Sequence, residues 1–142
     1  TIERLLKKRP RRIVLRGTIT DGFGEGRYYM AHVEYRKRFR KALKFLPYPG
    51  TLDIKIDDDS LITLEELRGK KGKVIEGFVA DGRTFGSVKF FPARLSGIEG
   101  ALIFPERGHH KDGVEFIAPK NLRKTLGLKN GDKVEVWVWE QK

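Results

Sequence analysis

The sequence has no cysteine, a single methionine and no hydrophobic run long enough to cross a membrane. Without cysteine, the protein has no disulfide framework, no thiolate nucleophile and no zinc site built on cysteine. A membrane span needs about 18 consecutive apolar residues, and the N-terminal stretch also lacks the apolar region of a signal peptide. We therefore expect a cytoplasmic protein that does not contact a membrane.

Acidic residues are few relative to basic ones. The 19 Asp and Glu stand against 30 Lys and Arg, which gives a net charge of +11. A positive field of this size would attract nucleotides, nucleic acid or an acidic membrane surface, and it does not choose among them. Much of the excess lies in residues 7–12 and 36–41. Runs of this kind are more often solvated surfaces than binding sites.

The 142 residues, 39% of them hydrophobic, suffice for one globular domain with its own core. Most apolar segments are short, rich in Val, Ile and Phe, and separated by glycine, which predicts strands rather than long helices. Asp81-Gly82 predicts a hairpin turn. The predicted strands cover residues 13–20, 28–33, 52–56, 73–80, 84–91, 101–104, 114–117 and 133–139.

Three short helices are predicted between these strands. Four apolar residues at helical spacing indicate the first helix, which we expect Pro47 to stop; they are Tyr35, Phe39, Leu43 and Leu46. The others cover residues 61–67 and 121–126, and Gly127 closes the last one. In the final strand the valines share one face, so Trp137 and Trp139 take the other. This arrangement predicts a mainly β protein with a closed or nearly closed barrel.

Gly22, Gly24 and Gly26 follow the first predicted strand directly. Glycines at alternate positions free the backbone, so that consecutive N–H groups converge on an anion such as phosphate. The pattern matches neither the dinucleotide-binding fingerprint nor the Walker loop. A flexible hairpin turn is the alternative interpretation.

A second segment, Pro47-Tyr48-Pro49-Gly50, forms a rigid turn that brings Thr51 and Asp53 to one face of the next strand. A hydroxyl and a carboxylate suit magnesium, which takes few oxygen ligands from protein and the rest from water and phosphates. The alternative is that both residues decorate the solvent face of the strand. In either case we expect both side chains to be exposed.

A third segment, residues 119–123, opens the last predicted helix and carries Lys120 and Arg123. Free N–H groups and basic side chains there favour binding of an anion or recognition of a nucleotide base. The alternative is that Lys120 and Arg123 are ordinary exposed residues of a helix. His109 and His110 are adjacent and project in different directions, which disfavours zinc. The sequence also lacks a Gly-x-Ser-x-Gly elbow, which disfavours covalent catalysis by serine.

Taken in order, these segments resemble the archaeal CTP-dependent riboflavin kinase family, from about residue 13 to residue 138. The matching motifs are Gly-Phe-Gly-Glu-Gly-Arg-Tyr-Tyr at 22–29, Pro-Tyr-Pro-Gly-Thr-Leu-Asp-Ile at 47–54, Pro-Glu-Arg-Gly-His-His at 105–110, Glu-Phe-Ile-Ala-Pro-Lys-Asn-Leu-Arg at 115–123 and Leu-Gly-Leu-Lys-Asn-Gly-Asp-Lys-Val at 126–134.

The resemblance implies a six-stranded cradle-loop (RIFT-type) barrel over residues 13–142, preceded by a basic segment, residues 1–12, that would link it to an upstream domain. It implies transfer of the γ-phosphoryl group of CTP to the 5′-hydroxyl of riboflavin, with Mg²⁺, giving FMN and CDP. We expect a monomer whose partners are these substrates and products, and which meets nucleic acid only through an upstream domain.

The resemblance also implies roles for individual residues at the matching positions. Thr51 and Asp53 would hold magnesium, Gly108 and Glu115 would contact the flavin, and catalysis would use Arg27 and Glu115 together with the magnesium pair. Asp53 stands where the family usually has asparagine, and Gly108 where it commonly has threonine. The residues expected to hold the nucleotide are Gly22, Phe23, Gly24, Glu25, Gly26 and Arg27 in the loop, and Lys120, Asn121, Leu122 and Arg123 at the cytosine and ribose end.

Two other interpretations of the sequence stay open. The basic charge would also suit a nucleic-acid-binding or regulatory module built on the same barrel without kinase turnover. The departures at Asp53 and Gly108 would also suit a barrel that binds flavin or nucleotide without phosphate transfer. Formation of FMN from riboflavin and CTP separates these interpretations.

Overall fold

A computed structural model describes residues 2, 12–22, 29–106 and 111–139. Its strands are β1 (Arg12–Ile19), β2 (Leu52–Ile56), β3 (Lys73–Ile75), β4 (Phe78–Ala80), β5 (Arg83–Phe85), β6 (Val88–Leu95), β7 (Ile98–Pro105), β8 (Gly113–Ile117) and β9 (Lys133–Trp139). Its helices are α1 (Val33–Leu43), α2 (Leu61–Arg68), which follows a 3₁₀ turn at Asp58–Ser60, and α3 (Leu122–Leu126). Within these ranges no helix has the length and apolar character of a membrane span.

Six strands close into a barrel through antiparallel pairings in the order β6, β7, β8, β2, β1, β9, and β9 returns to β6. Closure is possible because β6 changes partner along its length. Its first half pairs with β3, as in Lys73 opposite Phe90, and its second half pairs with β9, as in Leu95 opposite Val136. The mainly β, six-stranded barrel predicted above is confirmed.

The strands are buried on both faces because two cores share them. The barrel interior is filled by residues such as Leu15, Ile54 and Phe116, and α2 closes one side with Leu64 and Leu67. A second core covers part of the outer face, where α1 packs against the sheet. Its members include Tyr35 and Phe39 from α1, with Phe90, Ile103 and Ile117 from the strands.

Several local predictions are confirmed. The strands at 52–56 and 133–139 have the predicted bounds. Asp81 and Gly82 both have positive φ, 51° and 71°, and form the turn between β4 and β5. The two strands predicted around this turn keep one register but are each interrupted, at 76–77 and 86–87. Three strands of three residues each, β3, β4 and β5, and the eight-residue β6 replace the two predicted strands. Along β9, Val136 and Val138 face the core while Trp137 stays 38% exposed.

The strand predicted over 28–33 is wrong for its described part, because residues 29–31 are helical and α1 begins at Val33. His32 caps α1, since its Nδ1 accepts a hydrogen bond from the Glu34 N–H at 3.1 Å. Met30 is fully buried in the second core. The helix also ends before Pro47 has any effect, since Lys44 takes a left-handed conformation and its N–H bonds to the Arg40 carbonyl.

Candidate active site

Thr20, the residue after β1, connects two of the predicted segments. Its N–H donates to the Asp53 carbonyl at 3.1 Å, and its carbonyl accepts from Arg123 Nη2 at 2.9 Å. The backbone N–H and carbonyl of Thr20 therefore hold the start of β2 and the start of α3 close together. Gly22, the first residue of the glycine-rich segment, lies two residues further on and is exposed.

Thr51 and Asp53 share one face of β2, as the sequence predicts. The Thr51 hydroxyl donates to Asp53 Oδ1 at 3.0 Å. The expectation that both side chains are exposed is wrong for Asp53, which is 7% exposed, whereas Thr51 is half-buried. Asp53 pairs with Glu115, and Glu115 pairs with Ile103 of the second core, so the outer face at Asp53 borders a packed core instead of open solvent.

Glu115 lies next to this pair. It stands directly opposite Asp53 in the β2–β8 ladder and directly opposite Ile103 in the β7–β8 ladder, and it is 5% exposed. Paired residues in an antiparallel ladder point to the same face with Cβ atoms about 5 Å apart. Two carboxylates therefore meet on the outer face of the barrel, at the border of an apolar core. The structure brings Thr51, Asp53 and Glu115 together.

The segment around α3 provides the basic side of the site. Asn121 caps α3, with its side chain accepting from the Lys124 N–H, and Gly127 closes the helix at a φ of 65°, as predicted. Arg123 is held by Thr20 and also donates to Asn130 Oδ1 at 2.8 Å. Lys120 is exposed, but Leu122 is 4% exposed and its side chain packs into the barrel core.

A cavity of about 330 Å³ separates Thr51 from Lys120 and Arg123, and all three residues line it. Phe116, a member of the barrel core, also lines it. This volume lies within the range of small-ligand pockets. Thr51 of the predicted metal pair and the basic residues of the predicted nucleotide segment therefore line one common cavity, and Asp53, hydrogen-bonded to Thr51, lies beside it.

Tyr48 is a residue of this cavity that the sequence interpretation left without a role. Its hydroxyl accepts from Asn121 Nδ2 at 3.2 Å, and its backbone N–H donates to the Ala118 carbonyl at 2.8 Å. The side chain is 40% exposed and lines the cavity. The sequence does contain a signal for this role, since Tyr48 lies between two prolines. Prolines restrict the backbone on both sides and so hold the aromatic side chain in a fixed direction.

Part of the predicted site falls outside the described residues: Phe23, Gly24, Glu25, Gly26, Arg27 and Gly108. Within the described ranges, no group of three or more His, Asp or Glu side chains is arranged to hold a metal ion. The oxygens of Thr51 and Asp53 nevertheless suit magnesium, since this ion takes one or two protein ligands when phosphates supply others.

Comparison with known proteins gives matches over most of the chain. The family model CTP-dep_RFKase, described as a domain of unknown function, DUF120, matches residues 19–138. A riboflavin kinase of Thermoplasma acidophilum is 47% identical over 127 residues, which are 89% of this chain and 58% of the relative. A riboflavin kinase of Archaeoglobus fulgidus is 47% identical over 127 residues, 89% of this chain and 54% of the relative.

A third match is a riboflavin kinase of Ignicoccus hospitalis, 44% identical over 128 residues, which are 89% of this chain and 72% of that relative. The chain thus spans less than two thirds of the length of the first two relatives and more than two thirds of the third.

Proposed function

The chain belongs to the archaeal riboflavin kinase family that the CTP-dep_RFKase model describes, and we propose that it phosphorylates riboflavin with CTP. The γ-phosphoryl group of CTP moves to the 5′-hydroxyl of riboflavin. The bond between the γ-phosphorus and its bridging oxygen breaks, a new phosphorus–oxygen bond forms, and the products are FMN and CDP.

The observation that best supports this proposal is the double hydrogen bond of Thr20. Three segments that are distant in sequence, at 20–22, 51–53 and 120–123, meet through its N–H and its carbonyl. A nucleoside triphosphate is long and needs contacts at its base, its phosphates and its metal ion. The cavity between Thr51 and Arg123 provides space for such a ligand between these segments.

The charges of the site match those of a triphosphate. Lys120 and Arg123 line the cavity on one side, and we propose that they hold the cytosine and ribose end of CTP with Asn121 and Leu122. The glycine-rich segment from Gly22 to Arg27 is proposed to surround the phosphates, with its backbone N–H groups as donors. Arg27 would neutralise charge that develops on the transferred group.

We propose that Thr51 and Asp53 hold Mg²⁺ together with the phosphates of CTP. When bound, this ion supplies positive charge that neutralises the phosphate oxygens. The hydrogen bond from the Thr51 hydroxyl to Asp53 fixes both oxygens before any ligand arrives. Asp53 carries a charge that asparagine would lack, so this chain supplies an anionic ligand to the site.

The acceptor side is proposed to depend on Glu115 and the segment containing Gly108. Glu115 is fixed opposite Asp53, which places a carboxylate beside the proposed metal pair. Its role is to accept a hydrogen bond from the riboflavin hydroxyl and so to orient it. Phosphoryl transfer through a loose transition state depends on positioning and charge neutralisation more than on a strong base.

A nucleotide-profiled kinase assay tests the proposal. The purified chain is incubated with riboflavin, Mg²⁺ and each of CTP, ATP, GTP and UTP, and FMN is separated from riboflavin by chromatography. We expect FMN with CTP in preference to the other three nucleotides. If labelled γ-phosphate reaches riboflavin from none of them, the proposed function is wrong.

Variants of Thr51 test the metal pair in the same assay. Thr51→Ala removes the hydroxyl and is expected to lower turnover about 100-fold, the usual effect of deleting one stabilising group at a transition state. Thr51→Ser keeps the hydroxyl and is expected to stay within about tenfold of the wild type. Circular dichroism confirms that both variants fold. Normal turnover by Thr51→Ala would mean that the metal ion binds elsewhere.

A further inference from the structure

A second polar and aromatic surface lies on the outer face of β9 and its neighbours β1 and β6. Because Val136 and Val138 point into the barrel, Trp137 and Trp139 point outward from the same strand. These are the only two tryptophans in the sequence. Among the residues that the structure describes, none proposed for the kinase site lines this surface, which we call the tryptophan face.

Arginine side chains are interleaved with the two indole rings. The guanidinium of Arg12, on β1, lies 4.1 Å from the centre of the Trp137 ring. The guanidinium of Arg94, on β6, lies 5.6 Å from the centre of the Trp139 ring. Cations over the rings hold them in fixed positions and add positive charge beside Trp137, which is exposed, and Trp139, which is half-buried.

Two cavities lie side by side on the tryptophan face. The first, of about 390 Å³, is lined by Phe45, Lys73, Pro92 and Trp139. The second, of about 300 Å³, is lined by Ser96, Lys133 and Trp137. Arg94 lines both, so the cavities form one track with a cationic group at its centre. Each half of the track offers one indole ring.

The charge of the track is mainly positive. Two acidic side chains on it already face arginines, since Glu99 bonds to Arg94 at 2.7 Å and Glu135 lies 3.6 Å from Arg16. Lys133 bonds to Asp57 at 3.1 Å and remains largely exposed. Two further exposed cations belong to the track: Arg12 lies against Trp137, and Lys73 lines the first cavity.

We propose that the tryptophan face binds single-stranded nucleic acid. A positively charged track with aromatic rings at intervals is the arrangement that holds unpaired bases by stacking and phosphates by charge. A double helix would leave the rings unused, because its bases are already stacked. An acidic polypeptide would neutralise the charge but has few planar groups for Trp137 and Trp139. The proposal places nucleic-acid binding on the barrel itself and does not depend on the kinase activity.

Oligonucleotide binding to the whole chain tests the proposal. The probe is a fluorescein-labelled oligothymidylate of about 12 nucleotides, followed by anisotropy at about 50 mM salt and above. Tryptophan fluorescence is recorded with the unlabelled strand, and because both tryptophans lie on the proposed face, its quenching reports binding there. We expect saturable binding, quenching of the indole emission and an affinity that falls as salt rises.

Two arginine variants separate this face from the general positive charge. Arg94→Ala is expected to weaken binding about tenfold and to leave FMN formation unchanged. Arg83→Ala is the control, because Arg83 is an exposed arginine on the β4–β5 hairpin, which packs near the start of α1 and away from the track. Both changes remove one positive charge, and the control is expected to bind within about twofold of the wild type.

Four results would overturn the proposal. They are no binding below about 100 µM at low salt, equal weakening by both variants, displacement of the strand by CTP, and equally tight binding of polyglutamate with the same quenching. The third result would place the strand in the kinase cavity, and the fourth would make the face a general polyanion site. A failed kinase assay with intact oligonucleotide binding would affect only the proposed enzyme activity.

Discussion

Asp53 and Glu115 stand directly opposite each other in the β2–β8 ladder, at 7% and 5% exposure. Like charges at such positions destabilise a sheet, and burial increases the cost. A cation bound beside both carboxylates would reduce this cost. This relationship links the stability of the barrel to the chemistry proposed for its site.

Replacing Asp53 by asparagine, the residue usual in the family, should raise the stability of the ligand-free protein. Asp53→Asn removes one of the two facing charges and keeps an oxygen for the Thr51 hydroxyl. We expect a melting temperature about 2–4 °C higher in metal-free buffer. Mg²⁺ should then raise the melting temperature of the wild type more than that of the variant.

Glu66→Gln is the matched control for this experiment. It also removes one negative charge, but from an exposed position on α2. Calorimetry should show little change for it, with or without Mg²⁺. A lower melting temperature of metal-free Asp53→Asn would contradict the idea that the facing carboxylates repel each other.

Tyr48→Phe should weaken nucleotide binding with little effect on the chemical step. The change removes the acceptor of the Asn121 side-chain N–H and leaves the aromatic ring in the cavity. The loss of one hydrogen bond, about 0.5–1.5 kcal/mol, predicts a KM for CTP about two- to tenfold higher. Steady-state kinetics should give a kcat within about twofold of the wild type. An unchanged KM would show that the Tyr48 hydroxyl does not contribute to nucleotide binding.

The stability of the barrel should depend on pH through Asp57. A hydrogen bond from Lys133, joined by one from Thr18, outweighs the effect of burial and holds the pKa of the Asp57 carboxyl below its ordinary value of 3.8. The unfolded chain therefore binds more protons near this pH than the folded one, and the carboxylate stabilises the fold above pH 3.8. That contribution is lost as the pH falls through the lowered pKa.

Asp57→Asn measures this contribution. Urea unfolding at pH 7 should show the variant about 0.5–1.5 kcal/mol less stable than the wild type. The difference should shrink progressively below pH 3.8, where the wild-type carboxyl takes up its proton. A difference that persists unchanged at about pH 2 would show that packing, and not charge, is responsible.

Gly100 should be intolerant of any side chain. A Cβ at this position of β7 would lie 2.1 Å from the Ile117 carbonyl oxygen and 2.7 Å from the Phe116 ring. The β7–β8 ladder would have to move, so we expect Gly100→Ala to lower the free energy of unfolding by about 3 kcal/mol or more. Urea titration at neutral pH measures the loss.

The control is Gly69→Ala, at the end of α2. A Cβ there would meet its nearest atom at 3.6 Å, and Gly69 has the ordinary φ of −80°. Alanine at such a position changes stability by about 1 kcal/mol or less, often favourably. Comparable losses of stability from both substitutions would show that the close approach at Gly100 is not the reason why this position requires glycine.

The sequence predicts the strands better than it predicts what covers them. Alternation along 133–139 tells which residues share a face, and the valines inside β9 agree with it. It does not tell that α1 packs on the outside of the same sheet, so Asp53 was expected in solvent and is buried. The same packing explains the wrong strand prediction at 28–33. Met30 is buried in the second core and His32 caps α1, although the residues around them resemble those of a strand.

The site was predictable in its parts but not in its assembly. Local sequence indicates that Thr51 and Asp53 share a face, because strand geometry fixes that spacing. Their proximity to Arg123 depends on Thr20, which bonds both to Asp53 and to Arg123, the latter 103 positions away. No periodic pattern encodes such a bond. The resemblance to a family supplied what local physics could not.

The pairing of β9 with both β1 and β6 has a consequence for biosynthesis. β9 matches β1 at seven positions, from Arg12 opposite Trp139 to Thr18 opposite Lys133. A nascent chain in which residue 139 is still inside the ribosome cannot complete the ring, and it presents two open strand edges to its surroundings. Translation speed near the end of this domain, or a chaperone that shields those edges, should therefore govern how much of the protein reaches its native state.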